Sequence, residues 1–205
     1  MGAHSGTVKF IKAGFLSSLI SSMAFCAHAY IRGYPDGGYS LGVNAGYSLL
    51  PHPSGASKKS GVPFTLGGSF GYLWELSNFS TYLGYELQGN YYGSRSFNIN
   101  NSTVRANLFQ VTLLFSAYQY LNPLWNIHGK IGAAYQIDTL SGSGNTKSVL
   151  GAAPVFSLGV GYVITGDQTL SLDYSYTYGK TGEVFQSKKD IVQINAITLG
   201  WKYYF

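Results

Sequence analysis

The sequence predicts an all-β protein, an up-and-down antiparallel β-barrel of eight strands that crosses a membrane. Three observations predict this fold. Bulky apolar residues and small polar residues alternate along eight segments, and no run of about 18 apolar residues is present to form a transmembrane helix. The connections between these segments are alternately long and short. The side chains on the two faces of the predicted strands also differ so much in volume that only one set fits inside the barrel.

The alternation with a period of two is clear in four segments and weaker in four others. The clear segments are 39–49, 64–74, 125–137 and 170–178, and the weaker ones are 79–92, 104–118, 152–164 and 191–205. Such alternation is typical of strands whose two faces meet different surroundings. The pattern does not fix the registers of 104–118, which has apolar residues on both faces, or of 152–164, which Pro154 interrupts.

The connections alternate in length along the chain. The long ones, rich in Gly, Ser, Asn and Lys, are 50–62, 93–103, 139–149 and 180–190. The short ones are 75–78, 119–123 and 165–168. Long extracellular loops and short periplasmic turns are typical of up-and-down barrels in an outer membrane. The connections therefore predict both the topology and its orientation.

The volumes of the two faces decide which of them points outward. One face carries Gly, Ser, Thr and Asn, and the other carries Tyr, Trp, Phe, Leu and Ile. An eight-stranded barrel encloses a lumen barely wide enough for its own side chains, so the bulky set must point outward. An apolar outer surface of this extent exceeds what a soluble monomer tolerates, and lipid is therefore the predicted surrounding.

The N-terminus predicts export, and the composition argues against a nucleic-acid partner. Lys9 and Lys12 precede the apolar segment 13–25, and the sequence AHA follows at 27–29. This pattern predicts a signal peptide over residues 1–29, cleaved after Ala29, and a barrel domain over 30–205. Charged residues make up only 10% of the chain, and the net charge of +5 is too small to suggest nucleic-acid binding.

Aromatic residues are predicted to form a belt at each membrane interface. The candidate belt residues on the periplasmic side are Trp74, Phe79, Trp125 and Tyr162. Those on the outer side are Tyr176 and Tyr178. The alternative is that aromatic residues merely favour strands, but strand propensity does not explain why they cluster at the rims.

The chain ends with ITLGWKYYF, an alternating strand that stops on an aromatic residue. Thr198, Gly200, Tyr203 and Phe205 resemble the C-terminal signal read by the barrel-assembly machinery. With the strand count and the loop lengths, this ending resembles the small OmpA-like and OmpX-like eight-stranded outer-membrane barrels, a group that includes opacity-type surface proteins. The resemblance implies a monomer in the outer membrane of a Gram-negative bacterium, in contact with lipid and lipopolysaccharide.

Few ionisable residues fall on the inward parity. They are Glu86, His128, Lys130, Asp173 and Lys202. A charge in such a narrow lumen needs a partner, so we expect one lumenal network in which Lys130 and Lys202 bridge Glu86 and Asp173. The network either orders the lumen or acts as an ion gate that opens when pairs exchange.

Catalytic, metal and cofactor sites are not predicted. His128 with Asp173 or Glu86 suggests a dyad, but serines are too common for one of them to be singled out as a nucleophile. No cluster has the spacing of metal ligands, and no cofactor is expected.

The predicted outer loops are mildly basic. The basic candidates are Lys58, Lys59, Arg95, Lys147, Lys188 and Lys189. They either contact phosphates of lipopolysaccharide or an acidic host glycan, or simply solvate the loops. The function that we expect is a structural or surface-interaction role: envelope integrity, adhesion, or host contact through these loops. A narrow porin-like channel is the alternative, and an outer-membrane enzyme is less favoured.

Overall fold

The computed structural model describes residues 37–49, 59–61, 64–76, 80–99, 102–142, 145–179 and 191–205. The strands are Gly38–Leu49 (β1), Lys59–Gly61 (β2), Phe64–Leu76 (β3), Thr81–Ile99 (β4), Ser102–Asn122 (β5), Trp125–Gly142 (β6), Asn145–Thr165 (β7), Gln168–Thr177 (β8) and Ile194–Tyr204 (β9). The predicted signal peptide, residues 1–29, lies outside the described residues and stays a prediction. The described residues include no helix long and apolar enough to cross a membrane.

Eight of the strands form one closed antiparallel sheet, as the sequence predicts. Each strand from β3 to β9 pairs with the next one along the chain, β1 pairs with β3, and β9 returns to pair with β1. The closing pair runs from Ser40 opposite Tyr204 to Leu49 opposite Asn195. Strand β2 is an addition, because it pairs only with the outer end of β4. Closure leaves no open edge among the eight strands, as a sheet surrounded by lipid requires.

Side chains on the two faces of the sheet point outward or inward as their volumes predict. Leu41, Leu113 and Leu158 point outward and are 51%, 59% and 69% exposed, whereas Thr112 and Ser116 point inward and are 1% exposed. Large apolar side chains therefore cover the outside, whereas polar side chains, many of them small, occupy many of the inward positions. This arrangement is the reverse of a soluble protein, and it matches a barrel in lipid.

The two registers that the sequence leaves open are fixed by pairing with better-defined strands. In β5, Leu114 lies opposite Glu86, and Ser116 lies opposite Lys130. In β7, Pro154 lies opposite Ala133 of β6 and just beyond the paired end of β8. Proline has no backbone N–H to donate to a strand ladder. It is tolerated at this position because the paired part of β8 does not reach it.

Two predicted loops are instead largely strand. The segments 93–103 and 139–149 were expected to be long loops, but β4 and β5 extend to Ile99 and Ser102, and β6 and β7 extend to Gly142 and Asn145. The prediction was wrong because the apolar alternation ends where the lipid ends. The backbone ladder does not depend on that alternation, since it is held by main-chain hydrogen bonds.

A β-bulge in β4 changes which residues face inward. The register between β4 and β5 shifts between Tyr91 and Ser94, and Gly93 has a φ of 73°. A left-handed φ suits glycine, which supplies the turn without strain. Even-numbered positions of β4 face inward before the bulge, and odd-numbered ones do so after it, so Arg95 is buried.

Close approach of β1 and β9 makes Gly46 a test of closure. A Cβ atom at Gly46 would collide with the carbonyl oxygen of Ile197 and lie 2.6 Å from Cα of Thr198. We expect Gly46→Ala to cost about 1–3 kcal/mol and to lower the fraction of protein that migrates as a folded barrel in unboiled gels. Gly68→Ala is the matched control, because its Cβ would meet only Gly42 O at 3.6 Å. Equal folded fractions for the two variants would contradict the closure described above.

Candidate functional site: the barrel lumen

A network of charged side chains crosses the middle of the lumen. Lys202 Nζ lies 2.8 Å from Glu86 Oε2, and Lys130 Nζ lies 3.4 Å from the same oxygen. Lys130 Nζ also lies 3.2 Å from Asp173 Oδ1. The alternation of the four strands places these side chains on the inward face at similar heights, which is why residues far apart in sequence meet. Two ammonium groups and two carboxylates thus neutralise one another.

His128 extends this network on one side. Its Nε2 donates to Asp173 Oδ1 at 2.8 Å, and its Nδ1 lies 3.0 Å from Asn126 Oδ1. Ser171 Oγ donates to the other carboxylate oxygen, Asp173 Oδ2, at 2.7 Å. The carboxylate therefore stands between the serine and the imidazole. This order differs from that of a catalytic triad, in which the imidazole must contact the serine oxygen to remove its proton.

A tyrosine layer closes the periplasmic end of the lumen. The layer consists of the buried residues Leu73, Tyr82, Tyr118, Tyr120, Val163 and Tyr204. The rings of Tyr82 and Tyr120 meet edge to face, with centroids 5.2 Å apart. Lys202 Nζ donates to Tyr118 Oη at 3.1 Å, which joins the layer to the charge network above it.

The tyrosine layer is not predicted from the sequence. The sequence predicts that bulky residues face outward, whereas Tyr82, Tyr118 and Tyr204 lie at even-numbered, inward-facing positions, as Glu86 and Lys202 do. That parity was the signal available in the sequence. The tyrosines fit because the neighbouring inward positions of several strands are small, which leaves room for a few rings at one level.

An outer cap closes the other end of the lumen. It consists of the buried residues Tyr92, Leu108, Val192, Ile194 and Ala196. The Gln136 side chain donates from Nε2 to the carbonyl oxygen of Val192 at 2.8 Å and accepts from the Val192 amide at 3.0 Å. Gln136 lies on β6, three strands from β9, so this clamp holds the chain before β9 inside the mouth of the barrel.

A polar cavity of about 50 Å³ lies between the tyrosine layer and the outer cap. Its floor is the charge network, and its wall carries amide and hydroxyl groups, among them Asn90, Gln110 and Thr177. Gln110 Nε2 donates to Thr112 Oγ1 at 2.9 Å and reaches Thr177 Oγ1 at 3.3 Å. The lumen therefore contains three levels: the tyrosine layer and the charge network below, and the apolar outer cap above. The small polar cavity lies between the charge network and the outer cap.

The predicted assembly residues Thr198, Gly200 and Tyr203 lie on the closing strand β9, and Phe205 directly follows it. Thr198 lies opposite Gly46, and Gly200 lies opposite Asn44. Phe205 and Tyr39 exchange backbone hydrogen bonds of 2.9 and 3.1 Å, so the last residue is paired to the first strand. The side chains of Tyr203 and Phe205 point outward and stack, with ring centroids 6.3 Å apart.

The predicted aromatic belt residues that the structure describes lie on the outside or partly so. Trp125 packs against Tyr162 with centroids 5.0 Å apart, and Trp74 stacks on Tyr72 at 6.5 Å. At the other end, Tyr178 is 61% exposed, and Tyr176 is half-buried. Phe79 lies outside the described residues.

The basic loop candidates are not one group in the structure. Arg95 is 6% exposed inside the outer end of the barrel, so its expected place on a loop surface was wrong. The reason is the β4 bulge, which turns this position inward. Lys59 and Lys147 lie in β2 and β7. Lys58, Lys188 and Lys189 lie outside the described residues.

Comparison with known families agrees with the closed sheet and the outward apolar face. Residues 17–205 match the family described as outer membrane protein beta-barrel domain. The chain belongs to this family. It is an outer-membrane β-barrel of a Gram-negative bacterium, as the resemblance noted in the sequence implies. No curated protein matches the chain.

Solved structures share the fold of this outer-membrane barrel at low sequence identity. The attachment invasion locus protein Ail of Yersinia pestis is 17% identical with a TM-score of 0.50, and the match covers 83% of this chain and 99% of that one. A second structure of Ail, 18% identical with a TM-score of 0.51 and the same coverage, holds the heparin analogue sucrose octasulfate. OprG of Pseudomonas aeruginosa is 12% identical with a TM-score of 0.52, covering 86% and 99%.

Glu86 tests the charge network of the barrel. We expect Glu86→Gln to lower the free energy of unfolding by about 3–5 kcal/mol, because it leaves the buried Lys202 ammonium without a carboxylate. Urea unfolding of the refolded protein measures the change. Adding Lys202→Met should recover part of the loss, since the uncompensated charge is then removed.

Glu75→Gln is the matched control for this substitution. Glu75 is exposed near the end of β3, so its neutralisation should change the free energy of unfolding by no more than about 0.5 kcal/mol. If Glu86→Gln unfolds at the same urea concentration as Glu75→Gln, the network contributes nothing to stability.

Proposed function

We propose that this outer-membrane barrel has a structural and surface-interaction role, in which the outer side of the barrel makes the contacts. The observation that carries the proposal is the closure of the lumen at both ends. The tyrosine layer blocks the periplasmic end, and the outer cap, clamped by Gln136 to the backbone of Val192, blocks the other. A barrel that is filled across its section offers its surface, and not its interior, to other molecules.

A narrow channel is the second candidate, and one specific observation favours it. The polar cavity and the ion pairs of Glu86 with Lys130 and Lys202 would suit a passing ion if the two closing layers moved apart. Conduction then requires three changes: displacement of several buried tyrosine rings, exchange of ion pairs, and release of the Gln136 clamp. Each of them removes packing or hydrogen bonds from the interior. The resting state that we propose is therefore non-conducting.

The role that we propose is also non-catalytic. His128 and Asp173 are the residues that most resemble catalytic groups, but they contribute to the charge network. Ser171 donates to Asp173 and not to His128, so the imidazole has no serine proton to accept. Both groups also lie between the tyrosine layer and the outer cap, away from lipid and from peptides in solution.

The partners that we propose follow from the chemistry of the outer side. The predicted loops carry more Lys than acidic residues, and Lys58, Lys59, Lys147, Lys188 and Lys189 are the candidates that remain once Arg95 is excluded. Ammonium groups attract phosphate and sulfate groups, so lipopolysaccharide or an acidic glycan is the favoured ligand class. The structure of Ail with a heparin analogue offers a precedent on a similar fold. The ending ITLGWKYYF suits the barrel-assembly machinery, and the closed sheet suits a monomer.

Conductance separates the two candidate functions. We expect the refolded protein to give no steady current in a planar lipid bilayer, because both ends of the lumen are closed. A variant should conduct if it has Tyr82, Tyr120 and Tyr204 changed to Ser, Glu86 and Lys202 changed to Ser, and Gln136, Val192 and Ile194 changed to Ala, since the tyrosine rings, two ion pairs and the Gln136 clamp are then removed. Gels with and without boiling show whether each protein has folded. Steady current through the unchanged protein would favour the channel instead.

Binding of a polyanion tests the proposed surface role. We expect the protein in lipid nanodiscs to bind heparin or lipopolysaccharide, and the binding should weaken as salt is added. Changing the five lysine candidates to Gln should weaken binding at least about tenfold, whereas changing the same five to Arg should preserve it. Equal binding by the Gln and Arg variants would exclude these side chains as the contact surface.

A further inference from the structure

Four buried oxygen atoms face the polar cavity without receiving a hydrogen bond from the protein. They are Oδ1 of Asn44, Oγ1 of Thr65, Oδ1 of Asn90 and Oε1 of Gln110. All four residues line the same cavity of about 50 Å³. Thr65, Asn90 and Gln110 are 2%, 7% and 1% exposed. Buried acceptors of this kind are costly unless something donates to them or coordinates them.

The backbone register brings these atoms together. Asn44 lies opposite Gly67, Gly67 lies opposite Asn90, and Asn90 lies opposite Gln110, which forms one row across β1, β3, β4 and β5. Thr65 is two residues from Gly67 on the same face of β3. A Cβ atom at Gly67 would collide with Asn90 Oδ1 and lie 2.9 Å from Asn44 Oδ1. The two amide oxygens therefore converge over a position that only glycine leaves open.

The charge network fixes the orientation of the Asn90 amide. Glu86 accepts from Lys202 Nζ and from Gln88 Nε2, each at 2.8 Å. The carboxylate can only accept, so Gln88 must turn its NH₂ group toward Glu86 and its oxygen toward Asn90. Asn90 Nδ2 donates to that oxygen at 3.5 Å. The chain of amides consequently ends with the oxygen of Asn90 directed into the cavity.

We propose that this row of oxygens binds one small monovalent cation, such as Na⁺, K⁺ or ammonium. One cation between the converging amide oxygens of Asn44 and Asn90 satisfies both acceptors at once, and Thr65 and Gln110 offer further oxygens from the wall of the same cavity. Water filling the cavity is the alternative that the experiment below separates. The ligands are neutral amide and hydroxyl oxygens, a set that suits a hard cation of low charge. The neighbouring charges of Glu86, Asp173, Lys130 and Lys202 cancel, so they leave no excess positive charge to repel it.

The site is independent of the proposed surface role, because its ligands lie inside the lumen. The experiment is urea unfolding of the refolded protein in NaCl, KCl or RbCl, against choline chloride at equal ionic strength. We expect the unfolding midpoint to rise with the concentration of the alkali cation and to stay flat with choline, whose ion is too large for the cavity. Asn44→Leu removes one ligand, so its unfolding midpoint should be the same in alkali and in choline salts.

Asn44→Asp distinguishes coordination of a cation from a general effect of salt. It keeps the shape of the side chain and adds a negative charge to the ligand set, so the difference between alkali and choline salts should grow. Asn195→Asp is the matched control, because Asn195 accepts from Tyr174 Oη on the outside of the barrel. The difference in unfolding midpoint between alkali and choline salts should therefore be the same in this variant as in the unchanged protein. A rubidium soak of a crystal should place an anomalous peak between Asn44 Oδ1 and Asn90 Oδ1.

Two results would overturn the proposal. The first is a set of equal unfolding midpoints in the alkali and choline salts, with no rubidium peak, which would mean that the cavity holds only water. The second is a cation effect of the same size in the unchanged protein and in both Asn44 variants, which would place the cation elsewhere.

Discussion

Closure of an eight-stranded sheet is the constraint on which the rest of this structure depends. Lipid offers no hydrogen bonds to an open strand edge, so β9 must return to β1. That requirement fixes where the chain stops pairing, and it explains why Phe205 is bound to Tyr39 through its backbone. The number of strands in the closed sheet, eight, in turn sets the width of the lumen.

The width of the lumen then decides what the interior can contain. Four inward tyrosines fill one level of it, together with Leu73 and Val163: Tyr82, Tyr118, Tyr120 and Tyr204. The next level is too narrow to hydrate four charged groups separately, and the ion pairs of Lys130 and Lys202 with their carboxylates take the place of that water. Glycine at Gly67 and small residues elsewhere leave the remaining space as a polar cavity.

These layers are connected, which bears on both proposals. Lys202 joins the tyrosine layer to Glu86, and Glu86 orients the amides of Gln88 and Asn90 toward the cavity. A change at the charge network would therefore alter the packing below it and the direction of the acceptors above it. Packing and hydrogen bonds thus connect the layers of the interior. This leaves the outer side of the barrel as the surface that we propose for partners.

The sequence by itself determined the fold class, the eight strands and the orientation of their faces, because a period of two and a difference in volume are local properties. It also assigned Glu86, Lys130 and Asp173 to the inward face by parity alone. The sequence also predicts that Lys130 and Lys202 pair with Glu86 and Asp173. Only the tertiary structure decided that Lys130 contacts both carboxylates whereas Lys202 pairs with Glu86, how far the outer hairpins extend, and that Arg95 turns inward. The physical reason is that pairing, strand extension and the β4 bulge depend on neighbouring strands, and one strand's sequence carries no record of its neighbours' register.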